Sequence, residues 1–457
     1  MTFERYFQAV DYLQQRLWHE LPIVPVERAL QHRVRRVLEH FGDPHRRFPV
    51  IHVAGSAGKG STAAMTAAIL RQAGLRVGLY TSPHLQTFIE RINVDGELIA
   101  PERFADLVLG VDPLVRRMHI DVLDRVGYGR PSLVEVAFAA GMRHFADTAC
   151  DVAVVEAGLG GRTDYTNVFE HAPVRVITNV EYEHRERLGW SLESIAREKA
   201  AIVHPGETLV SGVTGVRAGA IVAARAAETS TRLWRAGREV RLRDGGTTFA
   251  VEGPWGVAGG LRVASAGEHQ RRNAALAAAA AYAFAGATGR AMREEDVRCG
   301  LASVRLPGRM ERVQERPAVL LDGAHNPVEA RCLARALRDL DRPKRSRLIF
   351  VCGILADKDQ APMVRALAGV ADRAIVTQPP LAERTGDPAG VIGLFARRLG
   401  EGSVAFEASP QAALALALSQ ARAADTVCVT GSMFLVGALR ERWVPELRIL
   451  ERRSSEL

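Results

Sequence analysis

Short apolar runs alternate along the first part of the chain with longer segments of helical character. The apolar runs lie at residues 49–55, 76–82, 151–158 and 174–179. The segments between them are rich in Ala, Leu, Met and Val, a content and spacing typical of helices. Strands that alternate with helices predict a mainly parallel, doubly wound sheet, so the fold class is α/β.

The pattern changes between residues 205 and 265, where short Gly- and Arg-rich pieces predict antiparallel hairpins at the edge of that sheet. An alanine-rich stretch at 273–289 predicts a buried helix. After a turn-rich segment at 306–317, apolar runs and helix-length stretches alternate again. We therefore expect a second α/β domain to begin near residue 305.

The length of the chain supports this division, because 457 residues exceed what one ordinary core contains. We predict one domain over residues 1–300 and another over residues 301–457. Hydrophobic residues make up 47% of the chain and charged residues 25%, as in soluble globular proteins. The disordered and fibrous classes are therefore excluded.

The cysteines and the N-terminal segment indicate the compartment. Five cysteines are scattered singly, with no Cys-x-x-Cys pair and no histidine nearby at zinc-ligand spacing, which favours a reducing environment. The first residues carry charges throughout, unlike a signal peptide, and no apolar stretch is long enough to cross a membrane. We expect a cytoplasmic protein without a membrane partner.

The formal charge of +8 does not predict a nucleic-acid partner, since the basic residues are spread along the chain and mostly interleaved with acids. Only four of the 60 basic residues are lysines, at positions 59, 199, 344 and 358. This chain uses arginine wherever a plain positive charge is sufficient. Each lysine is therefore a candidate for a task that needs a compact ammonium group or an amine that can lose its proton.

The loop GSAGKGST at residues 55–62 carries the most chemistry. Its glycines allow backbone N–H groups to surround phosphate oxygens, Lys59 can reach the terminal phosphates, and the Ser61 hydroxyl can bind Mg²⁺. The spacing differs from the standard P-loop, because two residues separate Gly55 from Gly58 and Gly60 precedes the serine. A tight strand-to-helix turn without a ligand is the alternative.

Two further loops follow predicted strands of the same domain. Glu156 stands at the end of one strand before a Gly-rich turn, and His184 lies just beyond another. Ligands of doubly wound sheets bind at the carboxyl ends of the strands, so these two side chains and Ser61 could share one divalent cation. A lone histidine is more often a structural hydrogen-bonding residue, and that alternative stays open.

Lys199 lies within a predicted helix, beside Glu198 and Ala-rich apolar residues. In an ordinary protein such a lysine is a solvated helix charge. In a chain that so strongly prefers arginine, a functional role becomes the stronger hypothesis.

These segments together resemble the folylpolyglutamate synthase and dihydrofolate synthase family of the Mur ligase superfamily. The resemblance spans nearly the whole chain, and its motifs follow the family's order. They are GSAGKGST (55–62), TSPHLQTFIERI (81–92), VEAGLGGRTDYTNV (155–168), SLESIAREKAAI (191–202), GEHQRRNA (267–274), PGRMER (307–312), LDGAHNP (321–327), GILADKD (353–359) and VTGSMFLVG (429–437).

The resemblance implies a Mur-ligase-type P-loop ATPase domain with a doubly wound sheet, followed by a C-terminal Rossmann-like α/β domain, with the site in the cleft between them. The implied activity is ATP-dependent ligation of L-glutamate to the carboxylate of a folate or dihydropteroate through an acyl phosphate, with release of ADP. ATP, the two acids and Mg²⁺ would be the small-molecule partners, and we expect a monomer.

The resemblance also assigns roles to the residues that match the family's motifs. Those implied for ATP are Gly58, Lys59, Gly60, Ser61, Thr62, Asn273, Arg309, Asp322 and His325. Those implied for one Mg²⁺ are Ser61, Glu156 and His184, and Lys199 as a carbamate would support a second. Lys59, Lys199 and His325 would be catalytic. Ser82, His84 and Arg91 would contact the acid substrate.

Three positions depart from the family's pattern. Ser56-Ala57 replaces the usual Thr-Asn, the segment 181–183 (Glu-Tyr-Glu) replaces Gly-Leu-Asp before the metal histidine, and Val134 and Phe138 change the wall near the pterin pocket. Two alternatives therefore stay open. One is a Mur-type or secondary-metabolite ligase that acts on a different carboxylate, and the other is a nucleotide-binding switch or scaffold without ligase activity.

Overall fold

The computed structural model describes residues 3–17, 26–123, 129–343, 345–381 and 384–456. Its first part is an eight-stranded sheet covered by helices on both faces. The strands are β1 (Val50–Ala54), β2 (Val77–Tyr80), β3 (Ile92–Val94), β4 (Glu97–Leu98), β5 (Val152–Glu156), β6 (Val174–Ile177), β7 (Thr208–Ser211) and β8 (Arg232–Arg235). The helices are α1 (Glu4–Asp11), α2 (Val26–His40), α3 (Lys59–Gln72), α4 (Pro101–Leu109), α5 (Asp112–Leu123), α6 (Leu133–Asp147), α7 (Arg185–Leu188), α8 (Leu192–Ala200) and α9 (Val216–Glu228).

The strand order of this sheet is β4-β3-β2-β5-β1-β6-β7-β8. Six neighbouring strands of the sheet, β2, β5, β1, β6, β7 and β8, pair in parallel. At one edge, β3 pairs antiparallel with β2, and β4 pairs antiparallel with β3. The residues of β1, β5 and β6 are all buried, as expected for apolar strands between two helical layers. The predicted doubly wound α/β sheet is confirmed, and the loops after its three central strands lie side by side.

The prediction for residues 205–265 is wrong in its first half. Strands β7 and β8 extend the main sheet in parallel, with α9 as the crossover between them. The buried residues of α9 are Ala218, Val222 and Ala226, spaced one helical turn apart, and small alanines give only a weak periodic signal. The second half is antiparallel as predicted, but it forms a separate sheet, of β9 (Arg241–Asp244), β10 (Phe249–Gly253) and β11 (Gly256–Leu261).

The alanine-rich stretch forms α10 (Glu268–Thr288), followed by α11 (Glu294–Ser303). Most alanines of α10 are completely buried, because the helix packs against α3 on one side and against β6 and β7 of the main sheet on another. The prediction of a buried helix is therefore confirmed.

The second part of the chain forms a six-stranded sheet of order β12-β13-β17-β14-β15-β16. Its strands are β12 (Glu311–Glu315), β13 (Ala318–Leu321), β14 (Leu348–Cys352), β15 (Arg373–Val376), β16 (Val404–Phe406) and β17 (Thr426–Thr430). Its helices are α12 (Pro327–Asp339), α13 (Gln360–Ala368), α14 (Ala389–Leu399), α15 (Pro410–Gln420), α16 (Met433–Arg440) and α17 (Glu446–Arg452). Only β12, which lies inside the segment we expected to be turns, pairs antiparallel.

The end of the chain returns to the first sheet. Val444, Ile449 and Leu450 are almost fully buried in the hydrophobic cluster that also contains Tyr6 and Phe88. The boundary at residues 300/301 stays a prediction. No helix within the described ranges is long and apolar enough to cross a membrane.

Candidate active site

The loop between β1 and α3 is tightly built. Gly58 precedes the first helical residue, Lys59, and has a left-handed backbone with a φ of 77°. A Cβ at Gly58 would lie 2.5 Å from Oδ1 of Asn273, so this side chain packs directly on the loop. Ser61 and Thr62 are buried in the first turn of α3. The N-terminal end of α3, Lys59 and Asn273 therefore meet at one place.

Ser56 and Asn179 hold this loop in its position. The Asn179 side-chain oxygen accepts hydrogen bonds from the backbone N–H groups of Ser56 and Ala57, at 3.0 and 2.9 Å. The Ser56 hydroxyl accepts a hydrogen bond from the backbone N–H of Glu181 at 3.0 Å. Ser56, a departure from the family's pattern, thus connects the loop to the segment that leads to His184.

Glu156 ends β5 beside the same loop. Its carboxylate is buried and accepts a hydrogen bond from the backbone N–H of Ser82 at 2.9 Å. A Cβ at Gly60 would lie 3.1 Å from one of its oxygens, so the carboxylate lies against the start of α3. Burial raises the pKa of Glu156, while the nearby cations Lys59 and Arg309 oppose that rise.

Lys199 is not a solvated helix charge. Its side chain is 1% exposed, and its ammonium group lies 2.5 Å from a carboxylate oxygen of Glu183. Burial lowers the pKa of Lys199 and repulsion from Lys59 lowers it further, whereas Glu183 acts in the opposite direction. The glutamate that replaces the family's aspartate at position 183 therefore reaches the rare lysine.

His184 precedes α7 with a left-handed φ of 41° and is exposed to solvent. Desolvation by surrounding protein atoms lowers the pKa of His184 to about 4, and the cation Lys358 lowers it further, whereas Glu183 opposes the change. The ring is therefore neutral at physiological pH and could bind a metal ion. Within the described ranges, no three His, Cys, Asp or Glu side chains are grouped closely enough to hold a metal.

Asp322 and His325 follow β13 in the second sheet. The buried Asp322 carboxylate accepts backbone hydrogen bonds from Met310 at 2.9 Å and from Ala324 at 3.0 Å. Burial raises the pKa of Asp322 to about 6, although Arg309 opposes the rise. Asp322 therefore fixes the turn that carries Arg309, and Nδ1 of His325 lies 2.9 Å from the Gly323 carbonyl oxygen.

The three residues expected to contact the acid substrate lie on one segment after β2. Arg91 is 5% exposed, and its Nε donates a hydrogen bond to Nδ1 of His84 at 3.0 Å. Desolvation by the surrounding protein, with Arg91 adding to it, lowers the pKa of His84 well below its ordinary value. Ser82 donates its backbone N–H to Glu156, so this segment is connected through that carboxylate to the loop between β1 and α3, which we call the nucleotide loop after the role predicted for it.

A cavity of about 250 Å³ lies between the two sheets. It extends from the start of α3 to the turn before β12 and to the start of α16. The predicted site residues that line it are Gly60, Ser61, Ser82, His84, Glu156 and Arg309. The remaining predicted residues do not line it: Gly58, Lys59, Thr62, Arg91, Asn273, Asp322, His325, His184 and Lys199.

Sequence reasoning missed two residues of the site. Asn179, which orients the loop, follows β6 directly, and its position at a strand end was the available signal. Lys358 was noted as a rare lysine in a family motif but received no role. Its charge acts on His184 from the second sheet, so it faces the same region as Lys59.

Known proteins are similar to this chain in sequence. Residues 308–433 match the family described as Mur ligase, glutamate ligase domain. A dihydrofolate synthase/folylpolyglutamate synthase of Mycobacterium tuberculosis is 36% identical over 383 residues, which cover 80% of this chain and 77% of the relative.

Solved structures cover the chain almost completely. A folylpolyglutamate synthase of Mycobacterium tuberculosis in complex with ADP matches with a TM-score of 0.86 and 32% identity, over 96% of this chain and 98% of that one. An FPGS complex with AMPPCP and folate matches with a TM-score of 0.80 and 30% identity, over 96% and 99%. Fold and site thus define an ATP-dependent ligase of the Mur type. Within that class, the chain belongs to the folylpolyglutamate synthase/dihydrofolate synthase family.

Proposed function

We propose that this chain ligates L-glutamate to the carboxyl group of a folate or of dihydropteroate at the expense of ATP. The observation that carries the proposal is the cavity bordered by Ser61 and Glu156 from the first sheet and by Arg309 from the second. A carboxylate is too poor an acyl donor for an amine, so it must first take the γ-phosphoryl group of ATP, which releases ADP. The glutamate amine then attacks the acyl phosphate, and phosphate and a proton leave.

We propose that ATP binds across the two sheets. In this arrangement Gly58, Gly60, Thr62 and Lys59 hold the phosphates, and Asn273 approaches the adenine. Arg309 would stabilise the γ-phosphate, and Asp322 and His325 would hold the ribose and phosphates. Phosphoryl transfer needs mainly alignment and charge neutralisation. Lys59 and Arg309 can supply the positive charge, since both lie near enough to act on Glu156.

Mg²⁺ would be held by Ser61, Glu156 and His184, and the first two of these residues, which line the cavity together, fit it. Glu156 is a buried carboxylate beside the helix that carries the Ser61 hydroxyl, and oxygen donors suit this cation. His184 is neutral and so does not repel it. When bound, the ion would neutralise the charge that develops on the phosphates.

We propose that Lys199 becomes carbamylated and supports a second Mg²⁺. Carbamylation requires a neutral amine that attacks CO₂, and the burial that lowers the pKa of Lys199 favours that form. A carbamate beside Glu183 would bring two anions together in a buried place. A divalent cation held by the carbamate would offset their repulsion, which is what the second Mg²⁺ would supply.

Ser82, His84 and Arg91 are proposed to contact the acid substrate. Ser82 and His84 line the cavity, and Arg91 supports His84 from behind. We further propose two domains, 1–300 and 301–457, in a cytoplasmic monomer without a nucleic-acid or membrane partner. Support for the last point is that many surface arginines are paired with acids rather than gathered into one basic face.

The test is a substrate screen that follows ADP release and product mass. ADP release should require both L-glutamate and a pteroate-type acid, and the product should be heavier by one glutamyl residue. Omission of each substrate in turn is the control. Ligation of another carboxylate without activity on pteroates would contradict the proposed substrate, and ATP binding without any ligation would contradict the enzymatic function.

A further inference from the structure

A continuous chain of polar side chains runs through the interior of the first sheet, behind the candidate site. None of its members was among the predicted site residues, and none is more than 3% exposed. We call this chain the buried relay, and its members in order are Glu207, Arg175, His52, Thr166 and Asp164.

The direction of every hydrogen bond in the middle of the relay is fixed by chemistry. Arg175 can only donate, and its Nη1 lies 2.9 Å from Nδ1 of His52, so Nδ1 must accept. The ring proton is therefore on Nε2, which donates to the Thr166 hydroxyl at 2.8 Å. The hydroxyl proton remains free to donate to the Asp164 carboxylate, with which it makes a short hydrogen bond. Burial and the charge of Arg175 keep the pKa of His52 well below its ordinary value, which agrees with a neutral ring.

The far end of the relay is held firmly. Arg175 donates from Nε to Glu207 at 3.0 Å and from Nη2 to the Phe169 carbonyl oxygen at 2.9 Å. A second bond from Nη2 to Glu207 at 3.2 Å makes the ion pair bidentate. The guanidinium cannot rotate without loss of several buried hydrogen bonds, so it gives His52 a fixed donor.

The near end of the relay shapes the loop that follows Glu156. Asp164 accepts hydrogen bonds from the backbone N–H groups of Leu159 at 2.6 Å and of Thr166 at 2.9 Å. Between these two positions the loop turns and presents Gly161 to the next helix. Asp164 thus ties the two ends of the segment 159–166 together.

That loop in turn contacts the helix of the rare lysine. A Cβ at Gly161 would lie 3.1 Å from the Lys199 Cα, so the two backbones are in close contact. The backbone N–H of Arg162 donates to the Glu198 carbonyl oxygen at 3.0 Å, and the two side chains form an ion pair. The α8 turn that carries Lys199 therefore rests on the loop shaped by Asp164.

We propose that His52 and Thr166 are positioning residues, which act through Asp164 to hold the Lys199 helix against the loop that follows Glu156. The expected effect on kcat rests on the proposed function, whereas the expected effect on the position of the helix does not. A purely stabilising role would lower the amount of folded enzyme without a selective effect on turnover.

The primary test compares Thr166→Val, which removes the hydroxyl at nearly constant volume, with Thr166→Ser, which keeps it. The valine variant should lose about tenfold or more in kcat, because Asp164 and His52 both lose a buried partner. Its KM for ATP should change by less than about twofold, because the nucleotide loop is held independently by Asn179. The serine variant should stay within about threefold of the parent enzyme.

His52 provides a matched pair of variants. Gln at position 52 can accept from Arg175 and donate to Thr166, so His52→Gln should keep most of the activity, whereas His52→Leu should resemble Thr166→Val. The double variant His52→Leu/Thr166→Val should lose less than about twofold more than the worse single variant, because both changes break one unit. Fully additive losses would contradict the relay.

Amide hydrogen exchange tests the positioning without any substrate. In Thr166→Val, exchange should accelerate in residues 159–166 and also in α8, whereas Thr166→Ser should leave both segments protected. If the valine variant does not fold, Thr166→Ala serves the same comparison. Three results would each overturn the proposal. They are unchanged exchange in α8, unchanged kcat in the folded valine variant, and a rise in the KM for ATP that matches the fall in kcat. Because exchange needs no turnover, its result stands even if the chain is not a glutamate ligase.

Discussion

Replacement of Lys199 by arginine separates a structural lysine from a carbamylated one. Arginine keeps the positive charge, so the ion pair with Glu183 can persist. It cannot form a carbamate, however, because its guanidinium does not lose a proton in proteins. Under the carbamate proposal a cation would therefore replace an anion beside the nucleotide.

The structure indicates how large the two effects should be. The site is almost closed to solvent, with Lys199 1% exposed and Glu183 11%, so the larger guanidinium should cost about 1–3 kcal/mol in unfolding free energy through overpacking. Lys199→Met would cost more, about 3–5 kcal/mol, because it leaves Glu183 without its partner. The arginine variant should thus stay folded but lose about 100-fold or more in kcat, the size of effect expected when a preorganised electrostatic group is lost.

The assay is ADP release at saturating substrates, together with urea unfolding of each variant. The control is Arg197→Lys on the same helix, at an exposed position, which should change neither quantity. Lys199→Ala should regain part of the activity when a short carboxylic acid is added to fill the gap. Full activity of Lys199→Arg would refute the reasoning, as would the absence of an added CO₂ in the intact mass of active, CO₂-equilibrated enzyme.

Three further predictions concern the nucleotide loop and the second sheet. Ser61→Ala should lower kcat at limiting Mg²⁺, while the free energy of unfolding changes by less than about 1 kcal/mol. Unchanged turnover would argue against Ser61 as a metal ligand. Gly58→Ala should raise the KM for ATP by about tenfold or more, because its Cβ would overlap Asn273. The control is Gly74→Ala, since Gly74 has a similar φ of 83° but open space around it, and this variant should leave the KM for ATP unchanged. Burial raises the pKa of Asp322 from 3.8 to about 6, so the folded protein binds more protons than the unfolded one between these values. Its contribution to the free energy of unfolding should fall by roughly 2 kcal/mol as the pH rises from about 4 to about 6, and Asp322→Asn should lack that slope in urea titrations. The same slope in both proteins would contradict the shifted pKa.

The sheets could be predicted from the sequence because their strands are mainly apolar runs. A strand between two helical layers, such as β1 or β5, has no solvent side, so most of its residues are apolar, and the exceptions His52 and Glu156 have hydrogen-bond partners inside the protein. Helix α9 was missed because alanine supplies little contrast between its buried and exposed faces. The pattern of apolar residues thus predicted the strands that are buried on both faces. It missed a helix that is buried on one face only.

The site could be predicted only as far as each residue stands at the end of a strand. Glu156 and Asp322 follow apolar runs, so their placement at the sheet edges was foreseeable. The ion pair between Glu183 and Lys199 joins a loop to a helix sixteen residues away, and its formation depends on how the two pack. The buried relay has the same character, because His52 and Thr166 meet across 114 positions of sequence.

The return of the chain to its first sheet affects the order in which the protein can fold during synthesis. Val444, Ile449 and Leu450 complete the core around Tyr6 and Phe88, and each contributes roughly 1.5–3 kcal/mol by burial. Until these residues leave the ribosome, the apolar surface that they cover stays open to water or to other chains. The first sheet and its helices should therefore reach their final stability only after residue 450 has been synthesised, although their own strands are synthesised first.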